Sequence, residues 1–232
     1  MPDPKPKTST LAIIALILAI ACGPIGALVG VIALMQIRKS QGQLGGEGLA
    51  IASIVMSVVF FFIAGILAAI AIPNFVRYKM RSRQAEPRVV LTQVNAGQEM
   101  FAMINHGYVA AAPTGGGASD ERGPWNPAAC ADACKADVSA CTSFACLSFD
   151  MDPGGTYFRY ACATVGGEAD DFTCAAVGDL DGDGDKSVFL FGSDNAGRGT
   201  IVAPVPAIAK AAGCTGQGQP AGEVVNCKPK AF

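Results

Sequence analysis

The sequence predicts an α+β protein with two transmembrane helices, the second of which continues into a long helix packed on a small antiparallel sheet. Three observations support this prediction. Residues 11–35 and 49–72 contain no charged side chain, and each run is long enough to cross a hydrocarbon core of about 30 Å. Residues 74–106 have apolar side chains at helical spacing, and short β-type segments follow them. Eight of the nine cysteines come after residue 129, which indicates a disulfide-rich domain.

We divide the chain into a polar tail at 1–8, a two-helix membrane hairpin at 9–72 and an extracytoplasmic domain at 73–232. The formal net charge is −2 and the hydrophobic share is 51%, concentrated in the two apolar runs. Basic residues gather directly after the second run, where lipid headgroups would lie. We expect no nucleic-acid partner, because the rest of this domain is acidic and lacks interleaved aromatic residues. The basic residues are Arg77, Lys79, Arg81, Arg83 and Arg88.

The first apolar run is interrupted by Cys22-Gly-Pro24. Because proline removes a backbone N–H, we expect a kink there. The parts on either side are too short to cross a membrane separately, so we predict one kinked crossing. Gly26 and Gly30 should allow close packing against the second span. An alternative is a signal peptide at 1–21 with a loose lipobox, but the apolar run continues past the cysteine.

The long helix predicted at 74–106 should bend at Pro87 and stop at Gly107. Strand signals follow at 156–164, 172–177 and 187–191, separated by turn residues. Helical spacing places four apolar residues on the face that should meet the sheet: Val90, Val94, Phe101 and Ile104.

Two family resemblances accompany these patterns. The segments Ala-Leu-Met-Gln-Ile-Arg-Lys-Ser and Gly-Glu-Gly-Leu-Ala-Ile-Ala-Ser, within residues 33–53, are similar to a bacterial membrane-hairpin family of unknown function. Residues 65–76, Gly-Ile-Leu-Ala-Ala-Ile-Ala-Ile-Pro-Asn-Phe-Val, resemble the membrane exit of type IV pilins and pseudopilins. Residues 93–108 resemble the end of the long pilin helix. The pilin resemblance covers about 61–108 and 144–202, and it implies a three- or four-stranded meander behind the helix. The residues that carry the membrane-exit motif are Gly65, Pro73, Asn74 and Phe75.

The processing and assembly signals of a pilin are absent. Alignment on the exit motif places Ile51, Ala52 and Met56 where a pilin precursor has Gly, Phe and Glu. The nearest candidate for cleavage by prepilin peptidase is Gly48, and no acidic residue follows it at the required place. We therefore expect the peptidase to leave the chain whole, with a mature protein that begins at or near Met1.

Residues 178–185, Gly-Asp-Leu-Asp-Gly-Asp-Gly-Asp, are the most chemically suggestive segment. Their spacing matches the first half of an EF-hand loop, with Gly184 at the sharp turn, but Leu190 stands where the closing carboxylate belongs. A similar turn joins sheet strands in pilin-like proteins, and Asp and Gly are natural turn residues. A polar turn and a calcium site both remain open. The candidate calcium ligands are Asp179, Asp181, Asp183 and Asp185.

The cysteines are more consistent with disulfides than with zinc, because no Cys-x-x-Cys pair exists and His106 is the only histidine. Cys162 and Cys174 are equidistant from a turn centred on Glu168, so antiparallel strands would place them opposite each other. The pilin resemblance implies a C-terminal Cys214–Cys227 bridge. The remaining four should pair among themselves, with Cys130–Cys146 and Cys134–Cys141 preferred.

We expect no catalytic activity and no small-molecule substrate. The chain has no Gly-x-Ser-x-Gly, no phosphate-binding Gly-Lys-Ser/Thr and no metal-binding histidine pair. His106 should cap a helix or face solvent, and Glu99 should lie on a solvated face. Cys141 and Cys146 lack the spacing of a thiol oxidoreductase. Trp125 should anchor a long loop rather than bind a ligand.

These observations favour a pilin-like structural or interaction protein of the bacterial inner membrane, with its C-terminal domain in the periplasm or at the cell exterior. We expect both termini outside and Arg38 and Lys39 in the cytoplasm; the cysteines favour this, although the positive-inside rule opposes it. Expected partners are membrane lipid and pilin or type II/type IV secretion-type assembly components. The alternatives are a calcium- or ligand-binding sensor or adhesion module on a membrane anchor, and a minor type IV pilin.

Overall fold

The computed structural model describes residues 7–21, 23–40, 44–117, 121–149, 151, 154–165, 171–195, 197–201 and 204–228. The fold is α+β, as the sequence predicts. The chain forms two compact units, Met1–Arg77 and Tyr78–Phe232. In the first unit the described elements are β1 (Lys7–Thr8), α1 (Thr10–Ala21), α2 (Gly23–Lys39), β2 (Leu44–Gly45) and the greater part of α3 (Glu47–Arg83).

The first apolar run is not the single kinked crossing that we predicted from the sequence. It divides into α1 and α2, which have 12 and 17 residues and therefore lengths of about 18 and 26 Å. The two helices turn back on each other, since a Cβ added to Gly26 would overlap the backbone of Ala19. Pro24 explains the break, because it lacks the N–H that would continue the helix. Two helices that each span the membrane are therefore not supported.

Helices α1 and α2 approach each other through their smallest residues. Ala12 and Ala33 share one buried cluster, while Ala19 lies against Gly26 near the turn. This sequence of contacts makes the two helices antiparallel. Such close approach of two backbones requires residues with little or no side chain, as in helix pairs of membrane proteins.

Helix α3 packs on α2 in the same manner. A Cβ on Gly30 would overlap the hydroxyl of Ser53, and a Cβ on Gly23 would lie 3.0 Å from Cδ1 of Phe60. Since these contacts run in opposite directions along the two helices, α2 and α3 are antiparallel. Phe60 is 13 residues from the start of α3, so the α1–α2 hairpin reaches about 20 Å along it.

Residues 7–9 lie beside Leu44 and Gly45, in the connection between α2 and α3. Strand β1 pairs in parallel with β2, and the backbone N–H of Ser9 donates to the carbonyl of Gly45 over 2.9 Å. Arg38 and Lys39 end α2 next to this connection. Lys7 and Thr8, the described end of the predicted polar tail, therefore lie at the same end of the hairpin as Arg38 and Lys39, whereas we predicted a membrane between the tail and those two residues.

The second unit begins with the end of α3 and with α4 (Ala85–Asn105). The two helices are separated by a turn at Gln84, three residues before Pro87. Because the proline lacks an N–H, it fits the first turn of a new helix better than the interior of a continuous one. The bend predicted at Pro87 thus appears as a break just before it.

A five-stranded antiparallel sheet forms the centre of the second unit. The strands are adjacent in chain order, so the sheet is a simple meander. Three of them correspond to the predicted strand segments, and two short edge strands were not predicted. The strands are β3 (Thr114–Gly115), β4 (Arg159–Thr164), β5 (Phe172–Gly178), β6 (Ser187–Gly192) and β7 (Val224–Asn226).

Both faces of the sheet are covered, so every residue of β5 and β6 is buried. Alternate residues, including Phe172 and Phe189, share the core on one face with Val94 of α4. The intervening residues, including Leu190, pack with Ala209 of the short helix α5 (Ala207–Ala211). This alternation follows from the two-residue period of a strand.

The predicted buried face of α4 is confirmed at three of its four positions. Val90 and Val94 are 3% and 0% exposed, and Phe101 packs partly against the core. Ile104 is 73% exposed, contrary to the prediction. The burial decreases toward the end of α4, where His106 takes a left-handed conformation (φ 57°) and the chain turns away. Tyr108 and Val109 supply core side chains just after that turn.

Among the described residues one helical stretch, Glu47–Asn105, which comprises α3 and α4, is long and apolar enough to cross a membrane by length and composition. The apolar helix at Thr10–Ile20 is shorter than that requirement. Helix α3 thus meets the length and composition requirement for a membrane span, whereas α1 does not.

Gly26→Ala should destabilise the α1–α2 hairpin by about 1–3 kcal/mol, because the added methyl group would overpack against the backbone of Ala19. Hydrogen exchange of the α1 amides, measured on the full chain in detergent, should accelerate accordingly. Gly65→Ala is the matched control, since no atom lies within 4 Å of its Cβ position. Unchanged α1 exchange in Gly26→Ala, or equal acceleration in both variants, would contradict this packing.

Candidate functional site

The first unit is inverted relative to a water-soluble protein. Its buried positions carry mainly alanine, glycine and serine, while large apolar side chains point outward. Every residue from 58 to 77 of α3 is exposed, and the side chains of Phe61 and Phe62 are 65% and 67% exposed. On α1 and α2 the exposed large residues are Ile13, Ile14, Ile17, Ile20, Ile25, Leu28, Val31, Ile32 and Met35. An apolar surface of this extent identifies a lipid- or protein-binding face.

The two buried serines of α3 form hydrogen bonds within their own helix. The buried Ser53 hydroxyl donates to the carbonyl of Ala50, and that of Ser57 donates to the carbonyl of Ser53, both over 2.8 Å. These serines therefore act as small packing residues whose hydroxyl groups need no hydrogen bond to water. The unit is built as a candidate membrane anchor rather than as a polar site.

The predicted membrane-exit residues all lie on α3. Pro73 stands inside the helix without ending it, and Phe75 is 68% exposed. Asn74 is exposed as well, and Gly65 faces open space. The structure thus places the motif on a continuous, uncovered helix.

Part of the predicted basic cluster packs against aromatic rings in the second unit. The guanidinium of Arg83 lies 4.4 Å from the centre of the Tyr157 ring, and that of Arg122 lies 4.9 Å from it. Arg88 lies 5.7 Å from the ring centre of Phe189. These cation–π contacts join the start of the long helix to the sheet region, so this cluster is not wholly solvated.

Glu86 is the polar tie between α4 and the start of β4, and sequence reasoning missed it. Its carboxylate accepts the backbone N–H of Tyr157 at 3.0 Å, that of Phe158 at 3.3 Å and the hydroxyl of Tyr160 at 3.0 Å. Burial, then the neighbouring carboxylate, raises the pKa of the Tyr160 phenol, which keeps it protonated as a donor. The sequence signal was a lone acidic residue among arginines, just before Pro87.

Gln98 makes a second tie from the same helix. Its fully buried amide donates to the carbonyl of Val109 at 2.8 Å and accepts the N–H of Val109 at 2.9 Å. The side chain therefore satisfies a backbone segment as a neighbouring strand would. It fixes the chain where it leaves α4 and starts toward the sheet.

The acidic turn between β5 and β6 brings together three of the four candidate calcium ligands. Carboxylate oxygens of Asp179, Asp181 and Asp183 lie within 4.8 Å of one another. Asp179 also accepts the backbone N–H groups of Gly182 and Gly184, at 2.8 and 3.1 Å. The glycines, both at positive φ, allow the tight turn that makes this convergence possible.

The fourth candidate, Asp185, has a different partner. Its carboxylate pairs with the ammonium group of Lys228 at 3.1 Å and is not part of the three-carboxylate group. Leu190, at the closing position of an EF-hand, is buried in β6. The turn therefore cannot form a complete EF-hand, and any ion would need water or backbone oxygens as additional ligands.

Burial raises the pKa of the Asp181 carboxyl, and the charge of Asp183 acts in the same direction against backbone hydrogen bonds that lower it. A raised folded-state pKa means that ionisation of Asp181 disfavours the folded state at neutral pH. A cation bound in the turn would remove that cost.

The four disulfides join the same cysteines as the predicted scheme. Cys162 and Cys174 face each other in the β4–β5 register, with Cα atoms 4.0 Å apart. The other three bridges are Cys130–Cys146, Cys134–Cys141 and Cys214–Cys227.

Three other residues considered in the sequence analysis make contacts within the fold. Trp125 packs against Phe144 in a tilted arrangement and against Tyr160 edge to face, at ring-centre distances of 5.2 and 5.9 Å, and so anchors the long loop. His106 caps the C-terminal end of α4, and its backbone N–H donates a hydrogen bond to the carbonyl of Ala102. Glu99 accepts the hydroxyl of Tyr108 at 3.4 Å, rather than being wholly solvated.

Comparisons of this chain with protein-family models, with curated proteins and with solved structures found no match.

Glu86→Ala should lower the free energy of unfolding of the second unit by about 3 kcal/mol, because it leaves two backbone N–H groups and a buried phenol without their acceptor. Guanidinium unfolding of the full chain, followed by the fluorescence of the single tryptophan, Trp125, measures this change.

Glu99→Ala is the matched control on the same helix, since it removes one long hydrogen bond and should cost less than about 1 kcal/mol. Equal losses in the two variants would show that Glu86 is not the tie described above.

Proposed function

We propose that this chain is a membrane-anchored, pilin-like structural and interaction protein of a bacterial envelope. The observation that carries the proposal is the inverted burial of the first unit, with small residues inside and large apolar residues outside. Four disulfides in the second unit support an oxidising compartment, the periplasm or the cell exterior. The pilin likeness rests on the exit motif and on a long helix packed against an antiparallel meander.

In this proposal α3 crosses the bilayer once, and the α1–α2 hairpin lies in the hydrocarbon beside its first half. The hairpin is too short to span the core, so both of its ends stay on the side where α3 begins. Arg38 and Lys39 sit at that end, which we assign to the cytoplasm because the disulfides favour an outside location for the second unit, although the positive-inside rule favours the reverse. The second unit then lies outside.

The proposed role is assembly and display rather than catalysis, with no nucleic acid and no small-molecule substrate. Membrane lipid surrounds the first unit, and pilin or type II/type IV secretion-type components are the partners that the pilin likeness suggests. Without the glycine and glutamate of a pilin precursor, the chain stays whole and in the membrane. Its mass should therefore be the same in cells that lack prepilin peptidase.

Thiol labelling of intact spheroplasts tests the topology. In a Cys22→Ala background, Thr92→Cys on the exposed face of α4 should react with a membrane-impermeant maleimide. Thr8→Cys in β1 should react only after permeabilisation, because β1 lies beside the α2–α3 connection. Reaction of Thr8→Cys in intact spheroplasts, or protection of Thr92→Cys, would contradict the proposed arrangement.

A second candidate function, calcium binding, is favoured by the convergence of three carboxylates in the acidic turn. Oxygens no more than 4.8 Å apart can all be reached from one point at about 2.8 Å, close to the Ca²⁺–oxygen distances of proteins. In this alternative the second unit is a calcium-dependent sensor or adhesion module on the same anchor.

Thermal unfolding of the full chain in detergent, with calcium or with a chelator, separates a calcium site from a polar turn. Calcium should raise the midpoint of the wild type but not that of Asp181→Asn. Asp194→Asn is the control and should keep the calcium response, because the Asp194 carboxylate caps a separate turn by accepting the backbone N–H groups of Arg198 and Gly199.

The pH dependence of stability provides an independent test of the role of Asp181. With chelator at pH 7, Asp181→Asn should be slightly more stable than the wild type, because the raised pKa of Asp181 makes its ionisation unfavourable in the fold. That advantage should disappear as the pH falls through the folded-state pKa, since the wild-type carboxyl is then protonated. A calcium response that survives Asp181→Asn would exclude the site.

A further inference from the structure

Two disulfides of the 130–146 loop lie side by side and differ in exposure. The Sγ atoms of Cys130, Cys134 and Cys146 are all within 4.8 Å of one another. Cys130 is exposed and Cys146 is half-buried, whereas Cys134 and Cys141 are 6% and 1% exposed. The accessible Cys130–Cys146 bond thus lies close to the protected Cys134–Cys141 bond.

We propose that this pair is a thiol-exchange site, in which a thiol from solution opens the exposed Cys130–Cys146 bond and the exchange passes inward to Cys134–Cys141. Thiol–disulfide exchange proceeds by attack of a thiolate on a disulfide sulfur, and its rate depends on access to that sulfur. Access selects Cys130 as the sulfur that is attacked first.

The first step forms a mixed disulfide between the incoming thiol and Cys130, and it releases the thiolate of Cys146. In the second step that thiolate attacks Sγ of Cys134, which forms a Cys134–Cys146 bond and releases the thiolate of Cys141. Each step forms one S–S bond and breaks one, so the only co-reactant is a monothiol. The product carries that thiol on Cys130 and a free thiol at Cys141.

Proximity favours the inner step over attack by a second external thiol. A thiolate confined within 4.8 Å of its target has an effective concentration of about 4 M, far above millimolar thiol in solution. The segment is also built from short 3-10 turns, Asp132–Lys135 and Phe144–Leu147, which hold Cys134 and Cys146. The attacking Cys146 and its target Cys134 therefore belong to two short turns of one loop, separated in sequence by a third turn at Val138–Ala140.

The site also differs from the other two disulfides of the unit. Cys162–Cys174 lies between β4 and β5 in the core, and Cys214–Cys227 joins the α5 region to the segment after β7. Neither belongs to the group of three close sulfur atoms found among the described residues. Exchange should therefore be confined to the 130–146 loop.

The direct test traps the product in the wild-type chain. Protein in detergent is treated with reduced glutathione, quenched with N-ethylmaleimide and digested at Asp132 and Asp137, which separates Cys130, Cys134 and the Cys141/Cys146 peptide. We expect glutathione on Cys130, maleimide on Cys141 and a Cys134–Cys146 link. Release of Cys134 and Cys141 only together, both alkylated and with no such link, would overturn the proposal.

A pair of double variants separates thiol exchange from a purely structural role, because the two explanations predict opposite changes in the rate of Cys141 alkylation. Cys130→Ala/Cys146→Ala should slow alkylation of Cys141 by about tenfold or more, because the accessible first bond is gone. A purely structural role for that bond predicts the reverse, since a looser loop would expose Cys141 sooner. Cys214→Ala/Cys227→Ala should leave the rate unchanged, and the wild-type trapping result decides the matter if the first variant does not fold.

Discussion

The proposed membrane anchoring depends on one constraint of the first unit: its interior consists mainly of the smallest side chains, so we expect its fold to be stable where hydrocarbon replaces water around α3. Burial of alanine and glycine removes little apolar area from water, at about 25 cal/mol per Å². The large side chains outside, such as Phe61 and Phe62, would each forfeit about 1.5–3 kcal/mol in water. In hydrocarbon that penalty vanishes, and close packing of helices through Ala19 and Gly26 becomes the stabilising interaction.

The second unit is stabilised in the opposite way. It buries aromatic residues on one face of the sheet and aliphatic residues on the other, and it adds four disulfides. Glu86 and Gln98 fix α4 to this core through backbone groups more than ten residues away in sequence. Four disulfides are typical of proteins in oxidising compartments, which agrees with the proposed location of this unit. The two units therefore call for two different environments.

Local patterns predicted the features that depend on neighbouring residues. The Cys162–Cys174 pair was predictable because both cysteines are equidistant in sequence from Glu168, which lies outside the described residues, and the β4–β5 register places them opposite each other. Pro24 predicted a kink in the apolar run, but not a reversal, because the reversal depends on which small residues meet across the turn. That choice is made by the Ala19–Gly26 contact and by the packing of α3 on Gly30.

Long-range contacts explain the remaining differences. Glu86 meets Tyr157 across 71 residues, a separation at which no periodicity or spacing rule operates. Asp185 looked equivalent to the other aspartates of its turn, yet Lys228, 43 residues away, takes it out of the carboxylate group. Helical spacing alone could not show that Ile104 lies where α4 no longer has the sheet to cover it.

The most direct measurement of the central claim is the collision accessibility of spin labels on the full chain in lipid nanodiscs. A label at Phe61, in a Cys22→Ala background, should collide often with oxygen and rarely with a water-soluble nickel chelate, because the exposed face of α3 meets hydrocarbon. A label at Thr92, on the exposed face of α4, should show the reverse preference. Frequent collisions of the Phe61 label with the nickel chelate would contradict the claim that this surface is built for the membrane.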